Sequence, residues 1–365
     1  MNSPFKLLLW QKRQAALIYH FTSMDYLKEI QRRFNALLGE TEAVVDTATA
    51  QGRDRYLQSK QWGQRDTVDN WTNSGAWGAM KDTQKWLAKL VALRATETYS
   101  GSGMDNLAHM LDEFSTLWMT PDEEEVFKKE FEALYSFAGP MDMIVADQRI
   151  SYWRYASWWK KHHALIPRLP KLRVRTDVEG ESGKVPPRTG VYVAQDDPNA
   201  GLQFGWTGAQ DGYYTPLWDA TTLNEIGLHA LQFVGRDDLW FNEAKMDAFC
   251  MLPQYRDILT FDDPPQPEWI DIASKGTVER PCKWYFVEMI HGEFDDEEAA
   301  AVSETSQTLR ALPGEQVPQA GLWYTPAIRG AGGTLTLAHG AKLPDTKYTD
   351  YGEVVWYREP ERQPT

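Results

Sequence analysis

Apolar residues in the first half of the chain recur every three or four positions. Leu17, Phe21, Met24, Leu27, Ile30, Phe34 and Leu37 make one stripe, which predicts an amphipathic helix that Gly39 stops. The stretch after it carries Trp62, Trp71 and Trp77, but Gly63, Gly75 and Gly78 weaken its helicity. Trp86, Leu87, Leu90 and Val91 mark another helix, residues 99–103 a flexible break, and Met104, Leu107, Leu111, Phe114 and Leu117 a further stripe. Thr120-Pro121-Asp122-Glu123 is a strong helix start: Thr120 can cap, Pro121 suits the first turn and Glu123 can close a capping box. Gly139-Pro140 is expected to end that helix. An aromatic-rich helix then runs from about Met141 to His163, and Pro167 and Pro170 close the helical half.

Beyond Pro170 the period shortens to that of strands. Arg173-Val174-Arg175, Val191-Tyr192-Val193, Leu202-Gln203-Phe204, Trp284-Tyr285-Phe286-Val287, Leu322-Trp323-Tyr324, Leu335-Thr336-Leu337 and Val354-Val355-Trp356-Tyr357 are short β-prone runs between glycine, proline and polar turns. Helices are expected over about 223–234, closed by Gly235, and around Ala244–Phe249. An alanine-rich helix should open at Asp295-Asp296-Glu297-Glu298. No repeat of 20–50 residues is evident. The fold class predicted is α+β: an all-helical domain over 1–170, packed with an acidic domain over 171–365 that holds a mixed, mainly antiparallel sheet plus helices.

Composition narrows the function. Of 365 residues, 42% are hydrophobic and 16 are tryptophan, which excludes wholesale disorder and supplies a large core. The net charge is −14 and one-sided. Residues 1–170 hold 21 basic and 21 acidic side chains, so the whole excess lies beyond them, and residues 201–300 alone hold 19 acidic against 6 basic. That balance argues against nucleic acid as a partner; the acidic excess either serves solubility or attracts and orients a cationic partner. Only Cys250 and Cys282 occur, without metal-ligand spacing, so no disulfide framework is expected. No apolar run reaches membrane-spanning length, and no cleavage site follows the short patch Leu7–Trp10. A cytoplasmic protein is the expectation.

Catalytic motifs are missing. There is no Walker loop, no Gly-x-Gly-x-x-Gly at a strand-to-helix turn and no nucleophile elbow around Gly101-Ser102-Gly103. His162-His163 lies about 100° apart on a helix and suits its negative end better than a metal. His291-Gly292-Glu293 with Asp295 and Asp296 lacks the spacing of a calcium or zinc site. No cofactor or metal is therefore expected, and no enzyme. The alternative is a hydrolase whose pocket gathers several of Asp196, Asp197, Glu225, Asp237, Asp238 and Glu288.

Several pieces of the second half resemble a known family. Gly190-Val191-Tyr192-Val193, Phe204-Gly205-Trp206-Thr207-Gly208 and Val234-Gly235-Arg236-Asp237-Asp238-Leu239-Trp240 are followed by Pro318-Gln319-Ala320-Gly321-Leu322-Trp323-Tyr324-Thr325-Pro326 and the late Gly352 to Trp356. Together, over about 185–357, they resemble the polymorphic-toxin immunity proteins called immunity protein 72 and its relative immunity protein 71. Val317 stands where the resemblance would place a cysteine. The resemblance implies a cytoplasmic antitoxin that neutralises a cognate toxin or type VI secretion effector by tight binding, without chemistry, in competition between bacteria. The partner would be a basic toxin domain. On the charge pattern its contact surface would include Asp237, Asp238, Asp262, Asp263, Asp295, Asp296, Glu297 and Glu298. A scaffold protein with a partner other than a toxin would share these features.

Overall fold

The computed structural model describes residues 5–53, 68–73, 75–151, 154–239, 242–261, 265–295, 310–325, 328, 334–349, 352–354 and 356–358. The fold class is α+β, with helices first and antiparallel sheets after them. The long apolar stripe is there but belongs to two helices, α1 (Leu9–Phe21) and α2 (Met24–Ala50). Ser23 makes the break: its hydroxyl accepts the Tyr26 amide at 3.2 Å and caps α2. Gly39 does not stop α2. A side chain there would meet nothing within 4 Å, while Leu37, Leu38 and Thr41 beside it are buried, and that packing outweighs a penalty of about 1 kcal/mol for helical glycine.

The helices α3 (Val68–Asn73), α4 (Ala76–Leu93) and α5 (Met104–Asp112) follow, and Phe114 and Leu117 fall beyond the last of them. Trp71 and Trp118 are fully buried with ring centroids 5.3 Å apart. Trp62 lies outside the described residues. The helix α6 (Pro121–Asp147) starts as expected, with Thr120 and Glu123 closing the capping box. Arg53, past the end of α2, grips Glu123 at 2.5 Å, and this hydrogen bond holds the carboxyl down to about 2.

Gly139-Pro140 does not end α6. Pro140 removes the donor that would reach the Ser136 carbonyl, yet the helix continues because the ring is buried in the core, and on the next carbonyl, that of Phe137, the Tyr26 hydroxyl donates at 2.5 Å. The expected helix from Met141 to His163 is in fact the last turns of α6, a left-handed cap at Gln148, and the short α7 (Tyr155–His162).

The main sheet contains β1 (Pro170–Glu181), β2 (Gly190–Ala194), β3 (Gln203–Gly205) and, later in the chain, β10 (Lys283–Phe294), in the order β1-β10-β2-β3. All pairings are antiparallel, with Val287 facing Val174 on one side and Val191 on the other. Between β3 and β10 come a hairpin of β4 (Ala209–Gln210) and β5 (Tyr213–Tyr214), then β6 (Ala220–Leu223), α8 (Glu225–Val234), α9 (Glu243–Cys250) and α10 (Arg256–Leu259). The strands β7 (Thr260–Phe261) and β8 (Gln266–Pro267), α11 (Trp269–Lys275) and β9 (Thr277–Arg280) complete the insertion, β9 pairing with β6.

Pro170 marks a change of secondary structure and not an edge of a compact unit. Residues 1–294 form one unit and residues 295–365 another. Leu17, Ile18 and Phe21 of α1 share one apolar cluster with Val191, Val193, Phe204 and Val287 of the sheet, because a sheet needs its apolar face covered and the helices cover it. The second unit carries β11 (Arg310–Ala311), β12 (Gly321–Tyr324), β13 (Thr334–Leu337), β14 (Tyr348–Thr349), β15 (Gly352–Glu353) and β16 (Trp356–Arg358), with a sheet ordered β11-β16-β12-β13. Its core holds Val317, Trp323, Leu343, Val354 and Trp356. The alanine-rich helix expected after Asp295 lies outside the described residues.

Candidate partner-binding site

Among the described residues the most exposed large hydrophobic side chain is Tyr213 of the β4–β5 hairpin, at 81%, and Tyr214 beside it is 60% exposed. Asp211 and Gly212 form the two-residue turn with φ of 51° and 84°, the combination that suits the twist of a tight hairpin. Ala209 pairs with Tyr214 and Gln210 with Tyr213. A two-stranded hairpin is marginal alone, so its rigidity has to come from its base.

That base is fastened to the turn after α4. Residues Leu93–Glu97 close a Schellman-type motif: the Glu97 amide donates to the Arg94 carbonyl and the Thr98 amide to the Leu93 carbonyl, both at 3.1 Å. Glu97 therefore occupies the left-handed position, φ 52° and ψ 32°, where glycine is usual. The Gly208 amide donates to the Glu97 carbonyl at 3.2 Å, and the Thr98 hydroxyl to the Ala209 carbonyl at 3.4 Å. The Glu97 carboxylate is held as well. Its Oε2 accepts the Thr189 hydroxyl at 2.9 Å and the Thr207 hydroxyl.

A cleft of about 690 Å³ opens beside Glu97, within the size range of ligand sites. The α1–α2 junction contributes Tyr19, Thr22, Ser23 and Met24. The sheet side contributes Arg188, Thr189, Gly190, Phe204, Phe286, Glu288, Met289 and His291, and Glu97 and Tyr99 form the third wall. Tyr19 fixes the floor. Its hydroxyl donates to the Val287 carbonyl and accepts the Val191 amide at 3.3 Å, joining α1 to two paired strands. Burial pushes this phenol well above its usual range. Gly190 makes room for it, since a Cβ there would lie 2.9 Å from the Tyr19 hydroxyl and 2.6 Å from the Phe286 ring.

Arg94 backs Tyr99, its guanidinium 3.5 Å from the ring centroid. Burial lowers this arginine to about 10, and among the described residues no carboxylate pairs with it. Arg188, the residue before the Thr189 that holds Glu97, lines the same cleft, stands exposed and likewise forms no ion pair among the described residues.

The acidic residues singled out from charge are placed differently. Asp237 is exposed and 3.9 Å from Arg13, and Asp238 meets Lys245 at 2.6 Å. Asp295 is half-buried just after β10. Asp262, Asp263, Asp296, Glu297 and Glu298 lie outside the described residues. The six carboxylates of the hydrolase alternative are dispersed. Asp196 and Asp197 converge on Arg280, Glu288 on Arg173 and Arg175, Asp237 and Asp238 have the partners just named, and Glu225 is exposed in the first turn of α8. Among the described residues no three of His, Cys, Asp and Glu are grouped to hold a metal, and Cys250 and Cys282 are buried and not joined in a disulfide. His162 packs on Phe21 with centroids 5.0 Å apart, and burial lowers it.

Charge adds to the hairpin's character. Residues 189–235 contain five carboxylates and not one lysine or arginine, so the exposed tyrosines stand in the longest anionic stretch around them. The Asp211-Gly212 dipeptide was the local signal for the hairpin. Nothing local announces Glu97. No described helix is long and apolar enough to cross a membrane. Comparison of this chain with family models, curated proteins and solved structures finds no match.

Proposed function

We propose that this chain is an immunity protein, which binds and neutralises a cognate bacterial toxin or type VI secretion effector by protein–protein contact in the cytoplasm. The observation that carries the reading is the pair of exposed tyrosines on a hairpin tied at its base, set in a run of 47 residues without a cation. Tyrosine is enriched among the residues that dominate binding energy, because it offers a large contact area with few rotatable bonds. Asp196 and Asp197 of that run are paired with Arg280, and an excess of carboxylates such as the chain's net −14 steers a basic partner towards it. The resemblance of the segments around Val191, Trp206 and Trp323 to immunity proteins supplies the class of partner.

The test is co-expression with the toxin encoded in the adjoining reading frame. A purified complex and rescued growth are expected, both weakened by replacing Tyr213 and Tyr214 with alanine. No complex and no rescue would overturn the reading. A complex with an adjoining product that is not toxic would make this a scaffold protein instead.

A further inference from the structure

We infer that the cleft beside Glu97 receives a basic side chain, lysine or arginine, presented by the partner polypeptide; this rests on the partner-binding reading above. The first support is backbone geometry. A glutamate in the left-handed position after a helix costs about 1 kcal/mol that glycine would avoid. The second is what that cost achieves. It places the carboxylate where two threonine hydroxyls, from loops 92 and 110 residues further along the chain, both converge on Oε2. The carboxylate is thus oriented in advance and its geometry does not depend on an occupant.

The third support is what the carboxylate lacks. Oε2 is taken up by the two hydroxyls, while among the described residues no group donates to Oε1 and none forms an ion pair with Glu97, whose side chain is exposed. Glu288, the other carboxylate of the cleft, differs in this respect, since Arg173 and Arg175 already neutralise it. Arg188 lines the same cleft and Arg94 stands three residues before Glu97, and neither forms an ion pair with it among the described residues. An ammonium or guanidinium N–H donated to Oε1 would complete the carboxylate with a charge-assisted hydrogen bond.

The fourth is shape. Phe204, Phe286, Met24 and Met289 give the cleft apolar walls, against which the methylene stem of lysine or arginine can lie while its charged end reaches the carboxylate. The cleft is also continuous with the hairpin through Thr98, Gly208 and Ala209. A partner seated on Tyr213 and Tyr214 therefore has the cleft mouth next to it.

The experiment titrates three capped peptides into the full-length protein: acetyl-Gly-Arg-Gly-amide, acetyl-Gly-Lys-Gly-amide and the citrulline analogue of the first, which keeps the shape of arginine and loses its charge. At least one basic peptide should bind on the order of tenfold more tightly than the citrulline peptide, and amide resonances of Thr98, Gly190 and Thr207 should move. The two basic arms decide between ammonium and guanidinium. Glu97→Gln should erase the tenfold preference. Glu97→Gly, which suits the left-handed backbone, should do the same in a protein whose fold is not in question. Equal affinity for citrulline, no binding of either basic peptide, or an unchanged preference in both variants would overturn the inference. If the basic peptides fail while the toxin complex forms and survives Glu97→Gly, the cleft assignment falls and the partner reading stands. If the peptides bind and no toxin complex exists, the cleft holds and the immunity reading falls.

Discussion

The amide of Gly208 donates to the carbonyl of Glu97 at 3.2 Å, and with the Thr98 hydroxyl on the Ala209 carbonyl this bond anchors the tyrosine hairpin to the end of a helix more than a hundred residues away in sequence. The contact leaves no room for a side chain. A Cβ on Gly208 would lie 2.3 Å from the Thr96 carbonyl oxygen and 2.3 Å from the Thr98 hydroxyl, and the first of these is backbone that cannot step aside. Gly208→Ala should therefore cost about 1–3 kcal/mol in urea unfolding. It should also weaken partner binding, although residue 208 lies beneath the hairpin. Unchanged stability would mean that the hairpin base is not fixed as described.

Tyr213 and Tyr214 make the opposite prediction. Both are mostly exposed, so replacing either with alanine should change stability by no more than about 0.5 kcal/mol. If they are the anchors of the interface, each substitution should cost about 2 kcal/mol of affinity for the toxin, roughly thirtyfold. Thermal melts and calorimetry on the same samples separate the two effects. A variant that binds as tightly as the parent removes that tyrosine from the interface.

Tyr19 should behave as a structural tie. Its hydroxyl stands between the amide of Val191 and the carbonyl of Val287, residues paired across β2 and β10. Tyr19→Phe keeps the ring in the core and leaves those two buried backbone groups facing a carbon. The expected cost is about 1–3 kcal/mol, with faster hydrogen exchange at Val191 and its neighbours. Protection equal to that of the parent at Val191 would show that the strands close their own bond once the hydroxyl is gone.

What could be read from the chain in advance follows how local each signal is. The start of α6 was legible because Thr120, Pro121 and Glu123 lie within four residues and satisfy one another. The central strand β10 was legible because Trp284-Tyr285-Phe286-Val287 is apolar on both faces, and both are covered: Val287 packs in one cluster, Trp284 and Phe286 in another. The end of α6 was not, because what carries the helix through Pro140 is its burial in the core, which depends on residues far away in sequence. The division at residue 294 was hidden for a similar reason: a change of period at 170 shows where helices give way to strands, but not that both cover one core. In the candidate site, Asp211-Gly212 is a local turn signal, though Tyr213 and Tyr214 beside it were not singled out, whereas the conformation of Glu97 depends on Thr189 and Thr207 and has no signature within its own segment. Acidic residues were conspicuous in the sequence, yet Asp237 and Asp238 turn out to have cations of their own.

Asp142 gives a prediction that depends on pH. It projects from α6 towards the loop before α5, where its carboxylate accepts the Ser102 amide at 2.6 Å and the Ser102 hydroxyl. Burial raises it to about 6, the two Ser102 bonds pull it down, and the charge of Asp105 adds to the rise. Its ordinary value is 3.8, so between about 4 and 6 the folded chain holds this proton more firmly than the unfolded one. The contribution to stability is therefore fullest below pH 4 and is lost as the pH rises through 6, by at most roughly 3 kcal/mol. Glu123, held down to about 2 by Arg53, acts in the opposite sense at lower pH, so the comparison has to be made between variants and not along one curve. Asp142→Asn keeps an acceptor for the Ser102 amide and cannot ionise. Measured by urea unfolding at pH 4, 5, 6 and 7, its stability relative to the parent should climb steadily and level off above pH 6. A difference that stays flat across that range would mean that Asp142 titrates in the fold as it does in water, and that the loop carrying Ser102 does not shield it.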